Sequence, residues 1–481
     1  MPDRDAVVPE REPAGLSRRA LIRAASGLAV AATLPAARAS ATVADRDWND
    51  LRRRLRGALV RPGDPDYAAA KRVFFARFDS STPAAVVRVA TPADVQAAMD
   101  FARMHDLPVA ARSGGHSFVG ASASPGALVV DVRALDRLDI EGDEVTVGAG
   151  RTAFSALGDL APAGLALPVG TCPSVGLAGL TLGGGIGTDV RRYGLSCDRL
   201  LAADLVLPSG EAVRVDAATP DLFWLLRGAG GSAGIVTSLT CRAIPAIAKD
   251  VVRVDFPGDA AARVLTGWAR WMPAADPAVY ARVAVEAAET LRCQVLLVAP
   301  AGAGAEAAAD LAEAAGVAPA TMERRTLRHL DAVLDIGGDK PGPASTRVAG
   351  SDVVAELTPE LAALAVEVIA ARFRSGATGV LLVEPLDGAV QTVAPDATVF
   401  PWRRHAAALE WIVKQPESPD EALAWMIGAH HLLGRCSTGA NFNHVEPADT
   451  LARCFAGNLE RLRALRRSVD PDHRLRWGLD A

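Results

Sequence analysis

Between Gly170 and Gly194 the chain reads Gly-Thr-Cys-Pro-Ser-Val-Gly-Leu-Ala-Gly-Leu-Thr-Leu-Gly-Gly-Gly-Ile-Gly-Thr-Asp-Val-Arg-Arg-Tyr-Gly. No helix or plain strand tolerates glycine at that density. Gly170, Gly176, Gly179, Gly183, Gly184, Gly185 and Gly187 each lose more backbone freedom on folding than a residue with a side chain. The run must therefore serve contacts that only bare backbone can make, such as N–H groups approaching the phosphates of a large ligand. The common nucleotide motifs are absent. No Gly-Lys-Ser/Thr ends the run, and Gly183 and Gly185 do not extend into G-x-G-x-x-G within a strand–turn–helix frame. One cysteine, Cys172, lies inside the stretch.

A second glycine turn, Arg112-Ser113-Gly114-Gly115-His116-Ser117, follows the apolar run Leu107-Pro108-Val109-Ala110-Ala111, which reads as a short buried strand. His116 is thereby placed on a strand-to-loop turn. A lone His or Cys is more often a packed residue than a reactive one. Two glycine loops, each carrying one nucleophile, shift that balance.

These two loops resemble the flavin loops of the berberine bridge enzyme-like flavoproteins, within the vanillyl-alcohol oxidase and p-cresol methylhydroxylase superfamily. The resemblance continues through Arg191-Arg192-Tyr193-Gly194-Leu195 with Asp198, Asp221-Leu222-Phe223-Trp224 with Arg227-Gly228, and Gly234-Ile235-Val236-Thr237. It ends on Gly457-Asn458, Arg461-Leu462 and Asp470-Pro471. It is dense from about residue 62 to 245, sparse in the middle and partial at the end. It implies FAD bound covalently, with His116 on the flavin 8α carbon and Cys172 on C6. It implies a flavin site built from residues 112–117, the glycines of the 170–187 run, Val175, Gly234, Ile235 and Val236. Val175 matches an oxygen-gate position, where Val goes with oxidases. The implied fold is α+β: a two-part PCMH-type FAD-binding domain (45–248), an antiparallel-sheet substrate domain covered by helices (249–438), and a C-terminal segment (439–481) returning to the FAD domain.

The catalytic base is less legible. Hydride removal from a C–H bond is helped by taking a proton from the adjacent O–H or N–H. The family supplies a Tyr in a Tyr-x-Asn-Tyr-like segment; here Asn441-Phe442-Asn443-His444 stands there, keeping the Asn and losing both aromatics. His444 has the right unperturbed pKa for a base, and a surface His beside a loop reads equally well. Glu384 and Asp387 match a family strand facing the flavin, and burial would raise an acid there. Pro385 and Gly388 equally allow turn carboxylates. Trp402 either lines the cleft or packs in the core.

Composition bounds the rest. A chain of 481 residues is long enough for two cores. A net charge of -5 gives no electrostatic case for nucleic acid or an anionic membrane. Six dispersed cysteines form no C-x-x-C pair, so no metal site is expected. Beyond Cys172 they read as buried thiols, with one or two disulfides open to an exported chain. Residues 1–41 read as a twin-arginine export signal: Arg18-Arg19, an Ala-rich apolar stretch too short to span a bilayer, and Ala37-Arg38-Ala39 before a cleavage point.

Locally, 47–60 reads as a helix with arginines on one face. The chain from 85 to 215 alternates short strands with helices capped as at Thr91-Pro92. Residues 251–298 read as strand, helix and paired strands, 302–316 as an Ala/Glu helix, 359–386 as a further strand-helix-strand set, and 451–468 as a helix. Residues 405–411 and 421–433 are strands or helices without an assigned place. The functional expectation is an exported oxidase with bicovalent FAD that oxidises an alcohol, sugar or amine and reduces molecular oxygen to hydrogen peroxide. The alternatives are a dehydrogenase with another acceptor, or a flavin-containing binding protein with a decayed site. Replacing Arg18 and Arg19 by Lys is expected to strand the precursor inside the cell, read by fractionation; unchanged export would remove the twin-arginine reading.

Overall fold

The structure is a computed structural model that describes residues 43–337 and 345–479. The export signal read in the sequence lies outside the described residues. Among those described, no helix is long and apolar enough to cross a membrane.

The first part of the chain builds a two-stranded sheet pairing Leu165–Ala166 with Ile244–Pro245, and two five-stranded sheets, one of them completed by a C-terminal strand. In one, the strands run in the order Ala58–Val60, Ala85–Arg88, Leu128–Asp131, Val109–Arg112 and Leu475–Arg476. Its first pair is antiparallel and the rest are parallel. The other, fully antiparallel, is ordered Leu138–Glu141, Glu144–Gly148, Ile235–Arg242, Leu200–Val206 and Ala212–Asp216. The 201–215 hairpin read from Pro208-Ser209-Gly210 is the last pair.

The helix expected over 47–60 ends early. It spans Asp45–Arg54, and Ala58–Val60 is a strand. The reason is tertiary. The buried Asp94 carboxylate accepts from the backbone N–H of Arg56, Gly57 and Ala90 at 2.8, 3.1 and 2.7 Å. Gly57 sits so close to the next strand that a Cβ there would lie 1.9 Å from the Arg88 carbonyl oxygen. The same Asp94 closes a capping box with Thr91 at the start of helix Pro92–Met104.

Residues from Lys249 onward form a seven-stranded antiparallel sheet, ordered Thr321–Leu327, Lys249–Pro257, Leu291–Pro300, Tyr280–Ala287, Gly379–Pro385, Ala407–Val413 and Val348–Val354. Side chains alternate between its faces. Val252, Val254, Val283, Leu297, Leu381 and Trp411 pack under helices Ala261–Trp271, Gly304–Ala315, Pro359–Arg374 and Pro419–Leu433. Val251, Tyr280, Leu296, Val298, Val353 and Ala408 face the other way, onto Val190, Leu195 and Phe400. Because both faces are covered, Val348–Val354 and Ala407–Val413 are buried along their whole length. That is why 405–411 carries no alternating pattern. The 451–468 helix is broken into Leu451–Phe455 and Leu459–Val469, with Ala456 at φ +42° between them.

Buried charges tie the two parts together. The Arg191 guanidinium donates to Met272 O at 2.6 Å, to Asp276 O at 2.8 Å and to Asp387 Oδ1 at 2.7 Å. Arg403 makes a two-pronged pair with Asp198, each contact 2.7 Å. Trp402 is core, donating from Nε1 to Ala440 O at 2.9 Å. All six cysteines are free, and Cys436 is exposed rather than buried.

The fully buried Asp352 fastens the C-terminal segment to the sheet. It accepts from Trp411 Nε1 at 2.8 Å, His430 Nδ1 at 2.7 Å, Arg453 Nη2 at 2.9 Å and the Ser437 hydroxyl. Burial pushes its pKa up, but the His430, Ser437 and Trp411 donors outweigh that and hold it below the usual carboxylate range. Its stabilisation is therefore full above the unfolded carboxyl's pKa and is lost as pH falls through the lower folded value. Asp352→Ala is expected to cost about 3–5 kcal/mol, because it leaves buried donors and charge without a partner. Arg453→Ala, at a site whose side chain is 29% exposed, should cost less. Chemical denaturation of the two variants checks the ranking.

Candidate active site

The two glycine loops meet backbone to backbone. A Cβ on Gly114 would lie 2.2 Å from Gly176 N, and one on Gly176 would lie 2.3 Å from Gly114 N. The Ser113 hydroxyl locks this crossing by donating to Ala149 O at 2.6 Å. Beside the crossing lies a cavity of about 290 Å³. Ser113, Gly114, Gly115, His116 and Ser117 form one wall of it. Cys172, Val175, Gly176 and Gly179 form another, and Gly234, Ile235 and Val236 close a third.

The remaining residues assigned to the flavin site stand elsewhere. Arg112 is buried behind its loop, donating from Nη1 to Ala70 O at 2.7 Å and Arg72 O at 3.0 Å. Gly170, Gly185 and Gly187 pack against neighbouring stretches of the chain, and Gly184 against Phe400. A Cβ on Gly187 would strike Val169 O at 1.9 Å, and one on Gly185 the Ser196 hydroxyl at 2.4 Å. Gly183 makes room for the C-terminal segment: a Cβ there would sit 2.0 Å from Asn443 Oδ1, while Asn443 Nδ2 donates to Leu180 O at 3.0 Å.

His116 and Cys172 converge on one hydroxyl. Ser174 Oγ lies 3.0 Å from His116 Nε2 and 3.9 Å from Cys172 Sγ. The His116 ring stacks on Phe74, with centroids 3.9 Å apart. Burial pulls its pKa down to about 4, against a hydrogen bond at Ser174 and with help from the Arg347 charge. The imidazole is therefore neutral, with its lone pair available at ordinary pH.

The inner face of the seven-stranded sheet carries the acids. Tyr280 donates its hydroxyl proton to Glu384 Oε1 at 2.7 Å. Glu410 forms an ion pair through Oε1 with His444 Nδ1. His444 lines the cavity, as do Arg347, Asn443 and Trp477. The structure brings Glu384 and His444 together through Glu410. Asp387 is separated from them: its Oδ1 is taken by Arg191, which is itself fixed to backbone carbonyls, so it serves as a tie between the two parts of the chain. Glu410 was missed at the sequence level. Its signal was a lone acid in Ala-Ala-Leu-Glu-Trp-Ile-Val, an otherwise apolar strand. Among the described residues no group of three or more His, Cys, Asp or Glu could hold a metal ion.

The cavity suits FAD. It offers bare loop backbone, two nucleophiles at one end, and a buried Trp477 Nε1–H without a protein partner. Residues 83–216 match the FAD binding domain family model. An uncharacterized FAD-linked oxidoreductase of Bacillus subtilis (strain 168) is 27% identical over 441 residues, covering 88% of this chain and 96% of that protein. The (R)-6-hydroxynicotine oxidase of Paenarthrobacter nicotinovorans is 30% identical over 222 residues, 46% of this chain and 45% of that enzyme. Among solved structures, BBE-like 1 of Physcomitrella patens superposes with a TM-score of 0.82 at 20% identity, covering 90% of this chain and 97% of that one. A xylooligosaccharide oxidase from Myceliophthora thermophila C1 superposes with 0.81 at 22%, covering 90% and 99%. Fold and site thus define an enzyme, an FAD-linked oxidoreductase. Its fold is that of the berberine bridge enzyme-like structures, and its sequence is similar to FAD-linked oxidoreductases.

Gly114→Ala tests the loop crossing. The added methyl cannot clear Gly176, so the loops must part. The variant is expected to purify with at least tenfold less flavin, read as the 450-to-280 nm absorbance ratio, while Gly158→Ala, away from the cavity and where a Cβ meets nothing within 4 Å, keeps its flavin.

Proposed function

We propose that this protein is an exported oxidase holding FAD through His116 and Cys172. It oxidises an alcohol, sugar or amine group and passes the electrons to molecular oxygen, releasing hydrogen peroxide. The observation that carries the reading is the convergence of His116 and Cys172 on the Ser174 hydroxyl at one end of the cavity. Two tethers to one ring edge require two nucleophiles side by side, one of them an imidazole kept neutral by burial.

Bound there, FAD supplies hydride acceptance and the return of electrons to an acceptor. The chain's residues do the rest. The loop backbone at Gly114 and Gly176 would hold the cofactor, and Phe74 braces His116. Phe118 stands edge-on to His444 with centroids 5.4 Å apart and narrows the space in front of the acids. Val175 lines the cavity with Cys172, and its small side chain is consistent with the oxygen-gate role the resemblance implies. Relatives named as nicotine and carbohydrate oxidases support oxygen as acceptor and a small-molecule substrate.

Acid-precipitated protein is expected to stay yellow. His116→Ala and Cys172→Ala should each keep one tether, and the double variant should release its flavin. Full retention by the double variant sinks the covalent assignment. Peroxide release is then measured with xylobiose, chitooligosaccharides and (R)-6-hydroxynicotine. Reduction of an artificial dye without peroxide points to another acceptor.

A further inference from the structure

The register of the sheet explains why two acids meet. Glu384 pairs with Ala408, and Leu382 with Glu410. Glu384 and Glu410 are therefore diagonal neighbours on one face, within reach of long side chains. Val283 pairs with Val383, so one residue on, Arg282 stands opposite Glu384. Tyr280 caps the group. Each strand contributes to one polar corner of an otherwise apolar sheet face, and His444, from the C-terminal segment, closes it.

We propose that Glu410 is a positioning residue for His444: it holds the imidazole by Nδ1 and leaves Nε2 as the atom that accepts the proton of the substrate's hydroxyl or amine. The inference rests on the oxidase reading above. The substrate's O–H or N–H proton goes to Nε2 and the Nδ1 proton stays on the Glu410 side; FAD, when bound, would take the carbon's hydride with its two electrons. Glu410 can remain anionic though buried because His444 pairs with it and a protonated Glu384 donates to it. Burial, reinforced by the Glu410 charge, pushes Glu384 up, whereas Glu410 is held down.

The groups facing His444 are Glu410 on Ala407–Val413, Glu384 on Gly379–Pro385, Arg347 ahead of Val348–Val354, and Phe118 after the first glycine loop, while Tyr280 and Arg282 on Tyr280–Ala287 act on Glu384. Burial lowers the His444 pKa and Arg347 opposes its charge, but Glu410 and then Glu384 outweigh both, leaving it above 6.5. Protonated His444 can accept no further proton, so it serves as the base only once it has lost its own. Substrate oxidation should climb with pH through a midpoint above 6.5.

The test uses flavin-loaded enzyme labelled with ¹⁵N-histidine, the His444 signal being identified by its loss in His444→Asn. In wild type it should titrate above 6.5. Glu410→Gln, which keeps the shape and removes the charge, should lower the midpoint by about one pH unit, tenfold in proton affinity; Glu410→Asp should restore most of it. A wild-type midpoint below 6.5, or one that Glu410→Gln leaves in place, overturns the proposal. This titration needs no substrate, so it succeeds or fails independently of peroxide release. Anaerobic bleaching of the flavin by whichever panel compound yields peroxide gives the second reading. Its rising limb should move to lower pH in Glu410→Gln, with a lower plateau because the base is weaker. A limb that ignores the His444 midpoint also overturns it.

Discussion

The contact between Gly114 and Gly176 is the constraint on which the site depends. Two loops from distant parts of the chain cross with no side chain between them, and the crossing sets where each loop's next residues go. His116 lies two residues past Gly114, and Cys172 lies four before Gly176. Fixing the glycines brings both nucleophiles to the Ser174 hydroxyl. No hydrogen bond could replace the crossing, because any Cβ would hold the backbones apart by more than the loops can absorb.

The second organising element is the two-faced sheet. Strand alternation sends one set of apolar residues under the helices and the other toward the flavin part. On that second face a few polar positions concentrate at one corner. Burial there is tolerated only because each polar group has a partner: Tyr280 donates to Glu384, protonated Glu384 to Glu410, and Glu410 pairs with His444. The same rule governs the ties at Arg191, Arg403 and Asp352, where buried charges meet partners from distant segments and so fix how the chain's parts register. Pairs of this kind contribute little net stability beside apolar packing, but breaking one is costly.

By itself the sequence determined the two glycine loops, their His and Cys, the paired antiparallel strands after Lys249 and the helix at Thr91-Pro92. These are local signals: glycine density, alternation and capping act over a few residues, and propensity reads them directly. Glu384 and His444 were legible as candidates for the same reason, since each stood in a recognisable segment. What only the tertiary structure decided was how they are connected. Glu410 becomes part of the site through strand register, the Asp387 carboxylate is engaged by Arg191, and Gly183 through Gly187 serve as packing positions because Asn443, Phe400, Ser196 and Val169 close in on them. The strand at Ala58–Val60 belongs with these, since Asp94, nearly forty residues on, ends the preceding helix's run. Each decision depends on partners far away in sequence, and a residue's own neighbours carry no record of which distant charge will reach it.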